Sequence, residues 1–126
     1  MRKWNIPLTY APKIPGVLEG WIRQTIRVGR KFSPGDLVSF HGWEGKPYRS
    51  KWSFRTPYKA LTEVIPVEIE TRGIMFPNGP AKWDELMGLA LLDGIAPPTG
   101  QELKNVLIGM HPVRIGERIP AQIIRW

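Results

Sequence analysis

Glycine and proline punctuate this chain from end to end. There are 13 of each in 126 residues, about a fifth of the sequence where ~12% is usual. Proline removes a backbone donor and glycine loosens the backbone, so long uninterrupted helices are disfavoured. The punctuation is dispersed, which marks turns between short elements rather than a low-complexity segment. A β-rich domain with tight turns is expected over a helical bundle. The length fits a single domain spanning residues 1–126, with enough core to fold without a metal or a disulfide. No cysteine is present, which removes disulfides, thiol nucleophiles and thiolate zinc sites and agrees with a reducing, cytoplasmic setting. The longest apolar run, Leu89 to Leu92, is too short for a membrane span or a signal peptide.

Local patterns then place the elements. Ile14 to Gly20 reads as a short helix with Pro15 at its start, and Val17, Leu18 and Trp21 are available to a core. Gln24 to Val28 reads as a strand. The turn Ser33-Pro34-Gly35-Asp36 leads into a strand from Leu37 to Trp43, with Val38 and Phe40 on one face and Ser39 and His41 on the other. Arg49 to Arg55 is a candidate return strand. Ala60 to Thr71 alternates, Ile65, Val67 and Ile69 against Glu68 and Glu70, and Pro66 assigns it an edge or a bulge. Arg72 to Phe76 is a further candidate. The period then becomes helical, with Trp83, Leu86, Met87, Ala90 and Leu91 in a stripe, Asp84 and Glu85 near its N-terminus, and Gly94 as its stop. Thr99-Gly100-Gln101-Glu102 is a capping box for a second helix carrying Leu103, Val106, Leu107 and Met110. Ala121 to Trp126 closes the chain as a strand. The expected class is α+β: a strongly bent sheet or small barrel of about five to six strands, flanked by two to three helices.

Charge divides the chain unevenly. The net charge is +7, but residues 1–59 carry +9 and residues 60–126 carry −2. Ten of the thirteen aromatics lie in the basic part, where Trp43, Tyr48, Trp52, Phe54 and Tyr58 interleave with Lys46, Arg49, Lys51, Arg55 and Lys59. Cations attract phosphates and flat rings stack on unpaired bases, so RNA or another single-stranded nucleic acid is a candidate partner. A solvated basic surface over core aromatics reads the same residues without a ligand. Alternation from Gly20 would set Arg23, Thr25 and Arg27 on one strand face, two forked donors around a hydroxyl, suited to phosphate or carboxylate. The same face could instead pair with strand glutamates. Asp93 falls where a helix stops, a carboxylate opposing the helix dipole. Ser39 and His41 lack a nucleophile elbow, the two histidines His41 and His111 make a poor metal site, and no phosphate-cradling loop is present. No metal and no cofactor are expected.

These segments, in order, resemble the ASCH domain, a member of the PUA-like superfamily of small β-barrels. The resemblance rests on Gly20 to Arg27, on Ser33-Pro34-Gly35-Asp36-Leu37-Val38, and on the tail from the Trp83 helix through Asp93-Gly94 and Glu102-Leu103 to Ile123-Ile124-Arg125-Trp126. Residues 46–58 and 72–80 have no clear counterpart. The resemblance implies a PUA-like barrel with a cleft for RNA or nucleotides. Among small bacterial members it also implies an amidohydrolase that removes an acyl group from acylated cytidine through a lysine, a threonine and a carboxylate. Thr25, Arg27 and Asp93 match that pattern, Asp93 standing where those enzymes have glutamate; the lysine position is occupied by Ile22.

The expected function is therefore nucleic-acid binding, most naturally RNA, in a basic aromatic cleft. Arg23, Thr25 and Arg27 would form its floor, Lys46, Arg49, Lys51 and Arg55 its wall, and Trp43 or Trp52 a stacking face. The alternative is an enzyme in the same cleft, a diverged amidohydrolase acting on acylated cytidine-type nucleosides or a ribonuclease, using Thr25 and Asp93. That alternative requires a substitute base, for which Lys3 qualifies if the N-terminal strand pairs beside Thr25. A protein-interaction domain would instead have its cleft plugged by Trp21 and Ile22.

Overall fold

Turn chemistry sets most of the element boundaries. In the computed structural model, which describes residues 1–8, 10–43, 52–71, 73–80, 82–95 and 99–126 and only the backbone of Ala11, Trp52, Trp83, Asp84, Leu86 and Met87, the chain is α+β. The first elements are β1 (Lys3–Pro7), a 3-10 turn (Ala11–Lys13), α1 (Ile14–Glu19), β2 (Gln24–Val28) and β3 (Leu37–Trp43). Next come β4 (Trp52–Arg55), β5 (Lys59–Ala60), β6 (Glu63–Glu70), β7 (Gly73–Phe76) and β8 (Gly79–Pro80). Two helices, α2 (Trp83–Leu92) and α3 (Gly100–Met110), precede the last strand, β9 (Ile119–Arg125).

Among the described residues the strands form two sheets rather than one closed barrel. In the first, β3 pairs with β1 in parallel and with β4 and β5 antiparallel. The second runs β2-β9-β6-β7-β8, all antiparallel. The chain steps from one sheet to the other at Leu61 and Thr62, whose N–H groups donate to Asp36 O (2.8 Å) and Arg125 O (2.9 Å). Because β1 pairs with β3 and not with β2, an open seam separates the sheets there, lined by Ile6, Pro7, Arg27, Val28, Arg30 and Phe32. The nine described strands exceed the expected five to six, because β1 and the two-residue strands β5 and β8 add to the six segments read from the sequence.

Alternation along β9 serves two cores at once. Ala121 and Ile123 join Ile26, Val67, Ile69, Leu89, Ala90, Leu103 and Leu107 beneath α2 and α3. Ile124 points the other way, to Ile6, Val17, Ile22, Val38 and Phe40 under α1 and the first sheet. Thr99 caps α3 as read, its hydroxyl accepting from Glu102 N–H at 3.1 Å. At the start of α2 the Glu85 carboxylate accepts from Lys82 N–H (3.2 Å).

Several expected faces are turned. The α1 helix ends at Gly20, whose left-handed φ of 87° swings Trp21 outward, 62% exposed, and sends Ile22 inward. Leu18 is exposed as well, so Val17 alone of the three expected residues faces the core. On α2, Ala90 is buried as expected but Leu91 is 60% exposed and Leu89 takes the buried place, where the helix meets both β-sheet and α3. The side chains of Trp83, Leu86, Met87 and Asp84 lie outside the described residues. Ser39 and His41 are buried like Val38 and Phe40, Ser39 because its hydroxyl donates to Thr56 O and His41 because its ring meets Trp43. Glu70 is likewise buried, with Arg118 Nε 3.7 Å from its carboxylate. Pro66 sits opposite Gln122 of β9, and the β7 ladder begins only at Glu68, so the proline occupies the open-sided half of β6.

Gly94 fixes how α2 ends. Its φ of 72° is left-handed, and a Cβ there would strike Ile22 Cδ1. Gly94→Ala is expected to cost about 2 kcal/mol. The cost falls in an Ile22→Val background, which lacks the offending methyl. Urea unfolding of the four proteins checks this; equal losses in both backgrounds would show that the clash is not the cause.

Candidate active site at a buried lysine–aspartate pair

Lys13 is the only charged residue between Tyr10 and Leu18, and it stands at the junction of the 3-10 turn and α1. The helix turns it inward, and its Nζ lies 3.0 Å from Asp93 Oδ1. The two residues are only 3% and 7% exposed. Asp93 caps the C-terminus of α2, where the helix carbonyls repel a carboxylate; the lysine supplies the opposite charge that this place demands. Ile22 forms the floor beneath them, fully buried against Gly16 and Gly94, with Gly94 also close to the Lys13 stem.

The β2 strand supplies the facing wall. Thr25 is buried opposite Ile124 of β9, and Arg27 is half-buried opposite Gln122. Gln24 is buried too; its Oε1 accepts from Arg125 Nε (2.8 Å), and its amide lies 3.4 Å from Leu89 O. Together Lys13, Thr25, Arg27 and Asp93 line a cavity of about 110 Å³, completed by Tyr10, Met110 and His111 at one side and by Leu8, Ile95, Leu103 and Leu107.

The electrostatics separate the roles of the two buried charges. Burial is the main cause that pushes the Lys13 ammonium down from 10.5 to about 8, and the neighbouring Arg27 pushes the same way while Asp93 opposes. Burial also raises the Asp93 carboxyl, against Lys13, Arg27 and a hydrogen bond from Gln24, which favour its anion. Two cations and one anion share the cavity. As pH rises through about 8, losing the Lys13 proton leaves Arg27 and Asp93 balanced, so the lysine is the group that exchanges a proton near neutrality. His111 is held below its ordinary value by burial and by Arg27, and so favours its neutral form.

The expected site residues divide into three groups. Thr25, Arg27 and Asp93, far apart in sequence, meet in the cavity. Arg23 does not join them: it precedes β2, is exposed, and its Nε donates to Gly20 O at 3.0 Å. Trp43 and Arg55 belong to the first sheet, Trp43 edge-on to His41 at 4.9 Å between rings. Lys46, Arg49 and Lys51 lie outside the described residues, as does the Trp52 side chain. Lys3 is not the substitute base, because β1 pairs beside β3; its Nζ stands 5.5 Å over the Tyr58 ring. The plug expected of Trp21 is absent, since its indole N–H donates to Glu19 on the surface (3.1 Å). Lys13, Gln24, Tyr10 and His111 were not anticipated, although a lone lysine in a proline-flanked apolar stretch was a usable signal. Among the described residues no three histidine or acidic side chains cluster as metal ligands, and no helix is long and apolar enough to cross a membrane. No family model, curated protein or solved structure matches the chain.

A buried pair is costly to break and cheap to replace. Lys13→Met is expected to lower stability by about 3–5 kcal/mol, because it strands the carboxylate. Lys13→Met combined with Asp93→Leu should be more stable than Lys13→Met alone. Urea unfolding at neutral pH compares them; a double variant no better than the single would mean the pair is not desolvated as described.

Proposed function

We propose that this chain is an ASCH-like, PUA-type domain whose cavity hydrolyses an amide on a small nucleoside-type substrate. The acyl group would sit on an exocyclic base nitrogen of the cytidine kind. One observation carries the reading: a lysine brought close to neutral pH, buried on a carboxylate, lines the same cavity as a buried threonine. A floor built only to hold solvated phosphate would keep its ammonium in water, whereas this one is desolvated and poised for proton transfer. The family pattern asks for a lysine, and Lys13 supplies one from the turn before α1 where Ile22 does not. Kinship to the barrel finds support in the step at Leu61 and Thr62, which runs β6 on into β5 and leaves the β1–β2 seam as the open side.

The steps balance with the groups in the cavity. The neutral amine of Lys13 takes the Thr25 hydroxyl proton as Oγ attacks the acyl carbon, and the carbonyl pair moves onto oxygen. Arg27 offers positive charge to that oxyanion. Collapse breaks the C–N bond, and the leaving nitrogen takes the proton from Lys13. A water molecule then loses a proton to Lys13 and attacks the threonine ester; the ester C–O bond breaks, Lys13 gives that proton to the leaving Thr25 Oγ, and the carboxylic acid is released. Asp93 holds the ammonium in place and sets its proton affinity.

Hydrolysis of N4-acetylcytidine is the assay. Activity should rise with pH along a limb centred at about 8, the lysine being active when neutral. Thr25→Ala and Lys13→Met should each lose ~100-fold or more in kcat. Asp93→Asn removes the charge that holds the proton on Lys13, so the limb should move to lower pH. Full activity in Thr25→Ala, or no hydrolysis of any acylated cytidine by the parent chain, would overturn the proposal.

A further inference from the structure

We propose that the outer face of the first sheet, from Arg30 across Asn5, Arg55 and Tyr58 to Lys3, is a second binding surface, for the phosphodiester backbone of a single-stranded nucleic acid. The alternation of β1 places Lys3 and Asn5 outward while Trp4 and Ile6 turn to the core. Register then sets Asn5 beside Ser39 and His41 beside Arg55 on that same face.

The polar groups there are organised rather than scattered. Asn5 Oδ1 accepts from Tyr58 OH (3.0 Å) and from Arg55 Nη2 (3.2 Å), and Arg55 Nη2 also lies 3.1 Å from Tyr58 OH. Arg30, beyond the end of β2, borders the face at the β1 edge, its Nη1 donating to the Asn5 backbone O at 2.8 Å and its Cζ 5.7 Å from the Trp4 ring centre. Lys3 Nζ and Arg55 Cζ each stand 5.5 Å from the Tyr58 ring centre. Lys3 and Arg30 form no ion pair among the described residues; the salt bridges of Glu63, Glu68, Glu70 and Glu117 are made with the C-terminal arginines. The positive field is felt locally: besides burial, Arg55 and Arg30 hold His41 below its ordinary value.

Three features favour a nucleic-acid strand over an acidic peptide. The cations include two arginines, whose planar forks match phosphate oxygens. They extend over a surface rather than converge on one point, as a chain of phosphates requires. The β1–β2 seam also carries the positive charge onward from Arg30 to Arg27 at the cavity wall, so a strand on the sheet could present a base there.

The test is fluorescence anisotropy of the full chain with a labelled oligouridine of about ten nucleotides, at about 50 and about 200 mM salt. Affinity should fall steeply with salt. Lys3→Ala with Arg30→Gln, which leaves the Asn5–Arg55–Tyr58 cluster standing, should weaken binding about tenfold at the lower salt and shallow the salt slope by about 2. Circular dichroism confirms that the variant is folded. Its hydrolysis of free N4-acetylcytidine should match the parent's, so loss of strand binding and loss of cavity chemistry read out separately. Parent-like affinity in the double variant, absence of binding at the lower salt, or displacement of the RNA by polyglutamate at equal charge would each overturn the proposal.

Discussion

The buried contact between Lys13 and Asp93 constrains the chain more than any other single interaction. An ammonium and a carboxylate leave water only at a cost of several kcal/mol each, and their attraction offsets that only in good geometry. The surrounding residues are arranged to provide it. The short helix α1 turns the lysine inward, the left-handed Gly94 ends α2 at the aspartate, and Ile22 fills the space below both. Gln24 links the site to Arg125 at the end of the last strand. Such an arrangement favours function over bare stability, because an apolar pair of similar volume would hold the two helices together at lower cost.

The charge division in the sequence acquires a structural meaning. The basic part of the chain builds the first sheet and β2, while the acidic excess falls on the second half. There Glu63, Glu68 and Glu70 on β6 face Arg125 and Arg118, so charges are largely matched along that ladder. Among the described residues, Lys3 and Arg30 have no such matching. The seam between β1 and β2 is where the two regimes meet, and Arg27 and Arg30 both border it.

What could be read from the sequence followed the range of the physics involved. The β2 and β3 boundaries were legible because turns and alternation are local, and so was the Thr99–Glu102 cap. Thr25, Arg27 and Asp93 were legible as chemistry, the first two by spacing on a strand and the last by its place at a helix end. Lys13 was not, since it meets Asp93 across 80 positions and no local period marks such a meeting. Nor was the parallel pairing of β1 with β3, which decided that Lys3 stands outside the cavity. Arg23 shows the limit of alternation itself: the pattern assigned it to the Thr25 face, but the strand begins one residue later and its guanidinium turns back to Gly20.

The two cores share β9, and the ion pair links them a second time through the helices that cover them. Lys13 leads into the helix that covers the first core, and Asp93 ends a helix that covers the second. An ammonium buried on a carboxylate in this way keeps its partner only while α1 and α2 both stay seated. The pair is thus a gauge of helix seating rather than of secondary structure. A small shift of either helix would part the two charges while every strand remains intact.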